Sequence, residues 1–281
     1  MTVEAGVLPG PGDRHADEAA GWILDRTDLE PAVALILGSG LGPAAELIMP
    51  EVTFPFTELA GFPEPTVPGH AGRLIVGRLR EVPVAAFLGR IHFYEGHPMS
   101  VSALPVRVAR LLGAEVMVLT AAVGALDRSL SPGTIVVADD HINLMGESPL
   151  RGWRNPDGSP PFVDVSALYD PALRDLTVEE ARSAGIPVAT GVYVAAAGPS
   201  YETRAETDFM RRAGGTVVGM SIVPEAVPAR ALGMRVLGLF SVTNLVGGEV
   251  SHEEVIAVGA AMGPKLADLL ARIVPRLIGS A

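Results

Sequence analysis

The sequence predicts an α/β fold: a single domain with a mixed, largely parallel central sheet flanked by helices. Short apolar runs rich in Val, Ile and Leu recur along the chain and are typical of strands buried on both faces. Helical patterns lie between several of these runs, and such alternation favours a parallel sheet. One connection, "REVP" at 80–83, is too short for a helical crossover, so it predicts an antiparallel insert that makes the sheet mixed.

The predicted elements follow one another along the whole chain. The strands cover residues 32–40, 74–79, 82–88, 116–122, 134–140, 191–198, 216–221 and 235–244. The helices cover residues 100–114, 170–185, 205–215 and 251–278. No repeat, low-complexity tract or linker divides the chain, although its 281 residues exceed the roughly 150 of an average domain. We expect a Pro- and Gly-containing flexible tail over residues 1–14 and one domain over residues 15–281.

Composition excludes several classes of function. A formal net charge of −11 argues against nucleic-acid binding, which depends on Lys and Arg. The chain has no cysteine, which excludes disulfides, thiolate metal sites and a cysteine nucleophile and suits a reducing compartment. Its apolar stretches are shorter than the roughly 18 residues that span a bilayer, and its start lacks a secretory signal. We therefore expect a soluble, cytoplasmic protein with no nucleic-acid or membrane partner.

Small and polar residues cluster where the predicted strands end. The clusters read "GSGLG", "GRIHFYEGH", "TAAVGAL", "AAAGPSYET", "GMSIVPE" and "SVTNLVGG". Because ligands of α/β proteins bind at the carboxyl ends of strands, the repetition predicts a single cavity. In "GRIHFYEGH", Arg90, His92 and Tyr94 follow a buried strand. An acidic protein that binds an anion needs such a local cluster of donors.

Other motifs carry less information. "GSGLG" could hold a phosphate on its backbone N–H groups, with Ser39 as hydroxyl donor, or could be a tight turn. It is not the dinucleotide pattern, because Pro43 stands where the next glycine is required, so an NAD-dependent oxidoreductase is a remote alternative. The six histidines are scattered, and "HEEV" at 252–255 lacks a second histidine, so we expect no metal site. The Gly-x-Ser-x-Gly pattern of a serine nucleophile is also missing.

Several long motifs in order resemble the purine nucleoside phosphorylase family, of the homotrimeric type that prefers 6-oxopurines. They are "LGSGLG", "PGHAGRLIVG", "GRIHFYEGH", "SPGTIVVADDHINLMGESPL", "AAAGPSYETRAE", "GGTVVGMSIVPEAVPARALGMRVLG", "SVTN" and "SHEEV". The resemblance implies a homotrimeric pentosyltransferase that serves purine salvage. Its reaction is the reversible phosphorolysis of purine (deoxy)ribonucleosides such as inosine and guanosine to free base and (deoxy)ribose 1-phosphate. It implies no cofactor, since inorganic phosphate is the co-substrate.

The resemblance also assigns site residues. Phosphate would be held by Ser39, His70, Arg90, His92, Ser221 and the backbone N–H near Ala122, with Glu95 in support. The pentose would contact Tyr94, Met220 and His252. The base would contact Tyr201, Glu202, Val218, Thr243 and Asn244. Catalysis would rest on Asn244, Glu202, His92 and Arg90, with Asn244 donating to purine N7 and Glu202 accepting from the ring N–H. Phe162 would reach into a neighbouring subunit's sugar site.

The sequence departs from the family pattern at two places. Ala121 stands where the phosphate-site strand usually has an asparagine, and the loop of residues 245–251, "LVGGEVS", is shorter than in many relatives. Two further alternatives stay open. One is a methylthioadenosine phosphorylase, against which Asn244 and His252 argue because its pocket would prefer an acid and an apolar residue there. The other is a nonenzymatic nucleoside-binding or scaffold protein.

Overall fold

The structure is a computed structural model that describes residues 13–38, 42–67, 69–247 and 252–279. Its strands are β1 Val33–Leu37, β2 Ile48–Pro55, β3 Arg73–Leu79, β4 Val82–Leu88, β5 Val116–Ala125, β6 Ile135–Asn143, β7 Val188–Ala195, β8 Val217–Gly219 and β9 Arg235–Leu245. Its helices are α1 Asp13–Leu24, α2 Gly42–Glu46, α3 Met99–Ser102, α4 Leu104–Leu111, α5 Pro171–Ser183, α6 Arg204–Arg212, α7 Val223–Ala231 and α8 His252–Leu277.

The nine strands form one mixed sheet, which confirms the predicted fold class. Their order is β2-β3-β4-β1-β5-β8-β7-β6-β9, and β9 pairs additionally with β5. The extra pairing closes β5, β8, β7, β6 and β9 into a ring. β1 runs parallel to β4 and to β5. The pairs β5–β9, β6–β7 and β7–β8 are also parallel. The predicted antiparallel insert is the β3–β4 pair, with Arg80 and Glu81 in its turn.

Helices cover both faces of the sheet, which explains the unbroken apolar runs of the strands. In β1, Ala34 and Ile36 pack on the face covered by α1, α4 and α7, whereas Val33, Leu35 and Leu37 pack on the face covered by α2, α5 and α8. Successive side chains of a strand point to opposite faces, so a strand buried on both sides needs apolar residues at every position.

Four elements were not predicted from the sequence. The helix α1 begins at Asp13, so the expected tail of residues 1–14 overlaps its first turn. α2 is a single short helix of five residues. α7 contains Pro224 and Pro228. Pro224 lies in the first turn, where the backbone N–H has no partner within the helix, so its absence does not destabilise the helix.

The fourth element, β2, is the edge strand of the sheet. It contains Pro50 and Pro55, and its register with β3 shifts between Pro50 and Val52. Most of its side chains are at least partly exposed, so it lacks the apolar run that marks the other strands.

Among the residues that the structure describes, no helix is long and apolar enough to cross a membrane.

Candidate active site

A cavity of about 520 Å³ lies where several strands end. The loop after β4, the second half of β5, the segment after β7, the β8–α7 turn and the end of β9 all contribute to it. The predicted site residues that line it are His70, Arg90, His92, Tyr94, Ala122, Tyr201, Glu202, Val218, Met220, Ser221, Thr243 and Asn244. The structure therefore brings together side chains that are far apart in the sequence.

Three predicted site residues are not seen in the cavity. Ser39 lies outside the described residues. His252 is the first residue of α8, but its side chain is not described. Phe162 does not line the cavity, and 96% of its surface is exposed in the single chain.

Arg90 lies at one end of the cavity, and its side chain is buried. Nε donates to Oε1 of Glu225 and Nη2 donates to Oε2, both at 2.8 Å, so the pair is bidentate. Nη1 donates to the backbone carbonyl of Thr120 at 2.7 Å. A guanidinium has five N–H donors, and these contacts leave one N–H on each terminal nitrogen for a ligand.

Three stacked rings extend from Arg90 along one wall. The His70 and His92 ring centroids are 5.1 Å apart, and those of His92 and Tyr94 are 4.6 Å apart, with planes within 18° of parallel. The Nδ1 atom of His70 also lies 3.2 Å from both the backbone N and O of Arg90. The stack fixes the edges that His92 and Tyr94 present to the cavity.

Glu95 ties the wall to the loop that carries His70. Its Oε1 accepts from the backbone N–H of His92 at 2.7 Å and lies 3.3 Å from His92 Nδ1. Its Oε2 accepts from the N–H and hydroxyl of Thr66, at 2.8 and 2.7 Å. Burial alone would raise the pKa of Glu95, but these hydrogen bonds hold that pKa well below its usual range. Glu95 is thus a carboxylate, which places the His92 proton on Nδ1 and leaves Nε2 as an acceptor.

Both histidines of the stack are neutral at pH 7. Burial, with His92 and Arg90 close by, lowers the pKa of His70 from 6.5 to about 3. Burial also lowers the pKa of His92. Since Glu225 balances the charge of Arg90, this end of the cavity offers directed N–H donors rather than excess positive charge.

The pKa of His70 predicts that the protein loses stability on acidification. The unfolded chain takes up a proton near pH 6.5, whereas folded His70 does so only near pH 3. The free energy of unfolding should therefore fall by about 1.4 kcal/mol for each pH unit between these values. Urea unfolding at pH 7, 6 and 5 should show a shallower decline for His70→Asn than for wild type. The same substitution at exposed His15 serves as control, and equal slopes for His70→Asn and wild type would contradict the assignment.

The turn between β8 and α7 delivers Ser221 to the cavity. The Ser221 N–H donates to the hydroxyl of Tyr193 at 3.0 Å, and burial raises the pKa of Tyr193 to about 12, so that hydroxyl keeps its proton. Ile222, the next residue, has a φ of 68°, which is rare for a β-branched residue and indicates backbone strain. Such strain persists only where the surroundings impose it, and it lies here between Ser221 and the first turn of α7.

Asn244 is oriented at the opposite end of the cavity. The hydroxyl of Thr243 lies 2.9 Å from Oδ1 of Asn244 and 3.1 Å from the carbonyl oxygen of Val123. The Thr243 hydroxyl has one proton to donate, and with that proton directed at the nearer Oδ1, the Nδ2 amide is the group that can donate to a ligand. A Cβ placed on Gly124 would lie 3.5 Å from Nδ2 and only 2.6 Å from Val246, so only glycine leaves this space free.

Glu202 also lines the cavity. Burial raises its pKa, with nearby Glu206 acting in the same direction. Val218 contributes apolar surface, and Tyr201 is half exposed at the rim. Beyond Arg90, the cavity lining therefore combines an amide donor and a carboxyl group with apolar walls, a combination that suits a flat heterocycle.

Some residues of the site were missed by the sequence interpretation. The two partners of Arg90, Glu225 and Thr120, were not singled out, although "GMSIVPE" contains the first and "TAAVGAL" the second. Val67, Val123, Gly124, Thr203, Arg204, Gly219, Val246 and Gly247 also line the cavity. Ala121 lines it too and contributes only a methyl group where the family pattern has an amide.

Comparisons with known proteins agree with this geometry. A family model described as the phosphorylase superfamily matches residues 32–275. The purine nucleoside phosphorylase of Mycobacterium tuberculosis is 44% identical over 274 residues, which are 95% of this chain and 98% of that protein. The Schistosoma mansoni purine nucleoside phosphorylase in complex with adenosine has a TM-score of 0.88 at 36% identity, covering 94% of this chain and 97% of that one. A Schistosoma purine nucleoside phosphorylase in complex with guanosine has a TM-score of 0.87 at 34% identity, covering 98% of this chain and 99% of that one.

The sequence and structural matches extend over nearly the whole chain. On this sequence and structural similarity, the chain belongs to the purine nucleoside phosphorylase family, within the phosphorylase superfamily.

Proposed function

We propose that this chain catalyses the reversible phosphorolysis of 6-oxopurine nucleosides such as inosine and guanosine. The proposal rests on the observation that the two ends of a single cavity carry different chemical groups. One end presents the N–H groups of Arg90 beside His92, and the other presents the amide of Asn244, while Glu202 belongs to the same cavity lining. Tyr94 and Met220 also line the cavity, and we propose that the pentose lies against them.

In the proposed reaction, a phosphate oxygen forms a bond to C1′ of the pentose while the bond from C1′ to the purine nitrogen breaks. The bonding electrons leave with the purine, so the pentose gains oxocarbenium character and the base gains negative charge. Asn244 Nδ2 stabilises that charge by donating to N7, and Glu202 accepts from the ring N–H of the base. Arg90, Ser221 and the backbone N–H near Ala122 hold the phosphate by donating to its oxygens, and His92 holds it by accepting at Nε2 from a protonated phosphate oxygen. A donor aimed at developing charge commonly contributes 10²- to 10³-fold in rate, or about 3 to 4 kcal/mol.

We also propose the remaining site roles. Ser39 and His70 complete the phosphate site, and His252 reaches the 5′-hydroxyl of the pentose. The reaction needs phosphate as co-substrate and proton donors from the protein, and for this reason we propose no metal or organic cofactor. We propose that the role is purine salvage. We also propose a cytoplasmic location, because a cysteine-free composition suits a reducing compartment.

We propose a homotrimer in which Phe162 enters the sugar site of a neighbour. Its 96% exposure in one chain supports this, since burying a Phe side chain is worth about 1.5 to 3 kcal/mol. Phe162→Ala should raise the KM for inosine by at least ~10-fold, the factor that corresponds to such a loss. Phe209→Ala, another exposed phenylalanine, is the control. A fully active monomer in sedimentation experiments would contradict the proposal.

The central experiment measures cleavage of inosine with and without phosphate. Phosphate-dependent release of hypoxanthine and ribose 1-phosphate is expected. Equal rates without phosphate would indicate a hydrolase, and binding without turnover would indicate a nonenzymatic nucleoside-binding protein. Preference for 5′-methylthioadenosine over inosine would instead support the methylthioadenosine phosphorylase alternative.

A further inference from the structure

The Arg90–Glu225 ion pair is buried behind the cavity rather than inside it. The Arg90 and Glu225 side chains are 2% and 3% exposed, and Glu225 is not among the residues that line the cavity. A carboxylate so placed does not line the cavity, and its hydrogen bonds connect it to the site through Arg90. Both of its oxygens accept from the guanidinium, at 2.8 Å each.

This geometry leaves the guanidinium little freedom. Two N–H groups are held by the Glu225 carboxylate, and a third is held by the carbonyl of Thr120, a residue of the central strand β5. Bidentate pairing fixes the plane of the guanidinium as well as its position, which a single contact would not do. The remaining N–H groups on Nη1 and Nη2 then have fixed directions.

The partners of Arg90 also connect it to the other donors of this end. The hydroxyl of Thr120 accepts from the N–H of Gly38 at 3.0 Å and donates to the carbonyl of Ile36 at 2.9 Å. Glu225 lies in the first turn of α7, four residues after Ser221, which lines the cavity. A substitution at Glu225 should therefore change the position of Arg90. The base end of the cavity is formed by other elements, so it should stay unchanged.

We propose that Glu225 is a positioning residue that orients the guanidinium of Arg90 for phosphate. This proposal rests on the proposed function of the chain. A fixed fork contributes more than a mobile cation, because no side-chain freedom is lost when the anion binds. Glu225 also balances a charge that would otherwise be buried alone, and the experiment has to separate these two effects.

The informative variant is Glu225→Asp, which keeps the charge but shortens the side chain by one methylene. If orientation matters, the carboxylate no longer meets Nε and Nη2 together, and the KM for phosphate rises by about 10- to 100-fold, the range for a misplacement of this size. The KM for inosine should stay within about twofold. Glu225→Gln keeps the length but removes the charge and should also weaken phosphate binding. Asp170→Glu is the matched control, because Asp170 makes a bidentate pair with Arg235 outside the cavity.

Two binding measurements make the result decisive. Titration calorimetry with inorganic phosphate should show weaker binding to Glu225→Asp, and titration with hypoxanthine should show unchanged binding. If Glu225→Asp binds phosphate with wild-type affinity, the proposal is overturned, because balancing the charge of Arg90 would then be enough for phosphate binding. Loss of hypoxanthine affinity together with a lower unfolding temperature would overturn it as well, because the role would be structural. If wild-type protein binds phosphate but does not cleave inosine, the proposed function fails while the positioning role is still tested by calorimetry.

Discussion

Arg90→Ala should lower kcat/KM for phosphate by about 10³-fold or more. The substitution removes the two N–H groups that we propose Arg90 directs at the anion, and it removes them in the ground state and in the transition state alike. Loss of one preorganised donor commonly costs 10²- to 10³-fold, and a fork supplies two. We therefore expect both a higher KM for phosphate and a lower kcat, with the affinity for hypoxanthine little changed. Steady-state kinetics with phosphate as the varied substrate measures the effect.

The fold has to be checked in the same variant. Removing Arg90 leaves the carboxylate of Glu225 buried without a partner, which commonly costs about 3 to 5 kcal/mol. Arg90→Lys keeps a cation but loses the planar fork, so it should fold better and still lose most phosphate affinity. Arg235→Lys, in the ion pair with Asp170, is the matched control. Phosphate kinetics like those of wild type in Arg90→Lys and Arg90→Ala would remove Arg90 from the site.

Asn244→Asp should change which purine the protein prefers. The substitution keeps the shape of the side chain, and Thr243 can still donate to one of its oxygens. The group that faces the ligand becomes an acceptor instead of the Nδ2 donor. With inosine, a carboxylate meets the 6-oxo oxygen and a leaving base that is becoming negative, so a hydrogen bond is lost and repulsion is added. The rate with inosine should fall by 10²-fold or more.

With adenosine the penalty should be smaller or reversed, because the 6-amino group can donate to the new carboxylate. A protonated Asp could also still donate to N7. Sites built on hydrogen bonds discriminate strongly when a group is left unpaired. The measurement is the ratio of kcat/KM for adenosine to that for inosine, in wild type and variant. Asn143→Asp, at an exposed asparagine of β6, is the control. If the ratio does not rise, Asn244 is not the residue that reads the 6-position.

Much of the fold was predictable because buried strands leave a clear pattern. A strand such as β1 packs on helices from both faces, so every position is apolar. The elements that were not predicted from the sequence lack such a pattern. α7 contains two prolines, which ordinarily argue against a helix, and β2 is an edge strand with mixed burial. The start of α1 lies in a stretch whose Pro and Gly residues indicated a tail.

The cavity was predictable for a different reason. Strand ends of one sheet meet in space, so polar clusters at successive ends indicated a shared site, and the family resemblance supplied the individual residues. The partners of Arg90 could not be found in this way. Glu225 is 135 positions away in the chain, and an acidic residue in a helical first turn is common for reasons unrelated to ligands. Only the folded geometry shows that its two oxygens meet the guanidinium. The roles given to Ser39, His252 and Phe162 stay predictions.

The ring formed by β5, β8, β7, β6 and β9 also bears on how the protein behaves at high concentration. A strand with unpaired backbone groups can recruit another chain, and a sheet that closes on itself offers no such strand on that side. Among the described strands, the free edge that remains is β2. There Pro50 and Pro55 lack an N–H to donate, the shifted register twists the strand, and Glu51 adds an exposed charge. Intermolecular strand pairing would therefore have to begin at β2, and the prolines, shifted register and charge of this strand make it a poor template for another chain.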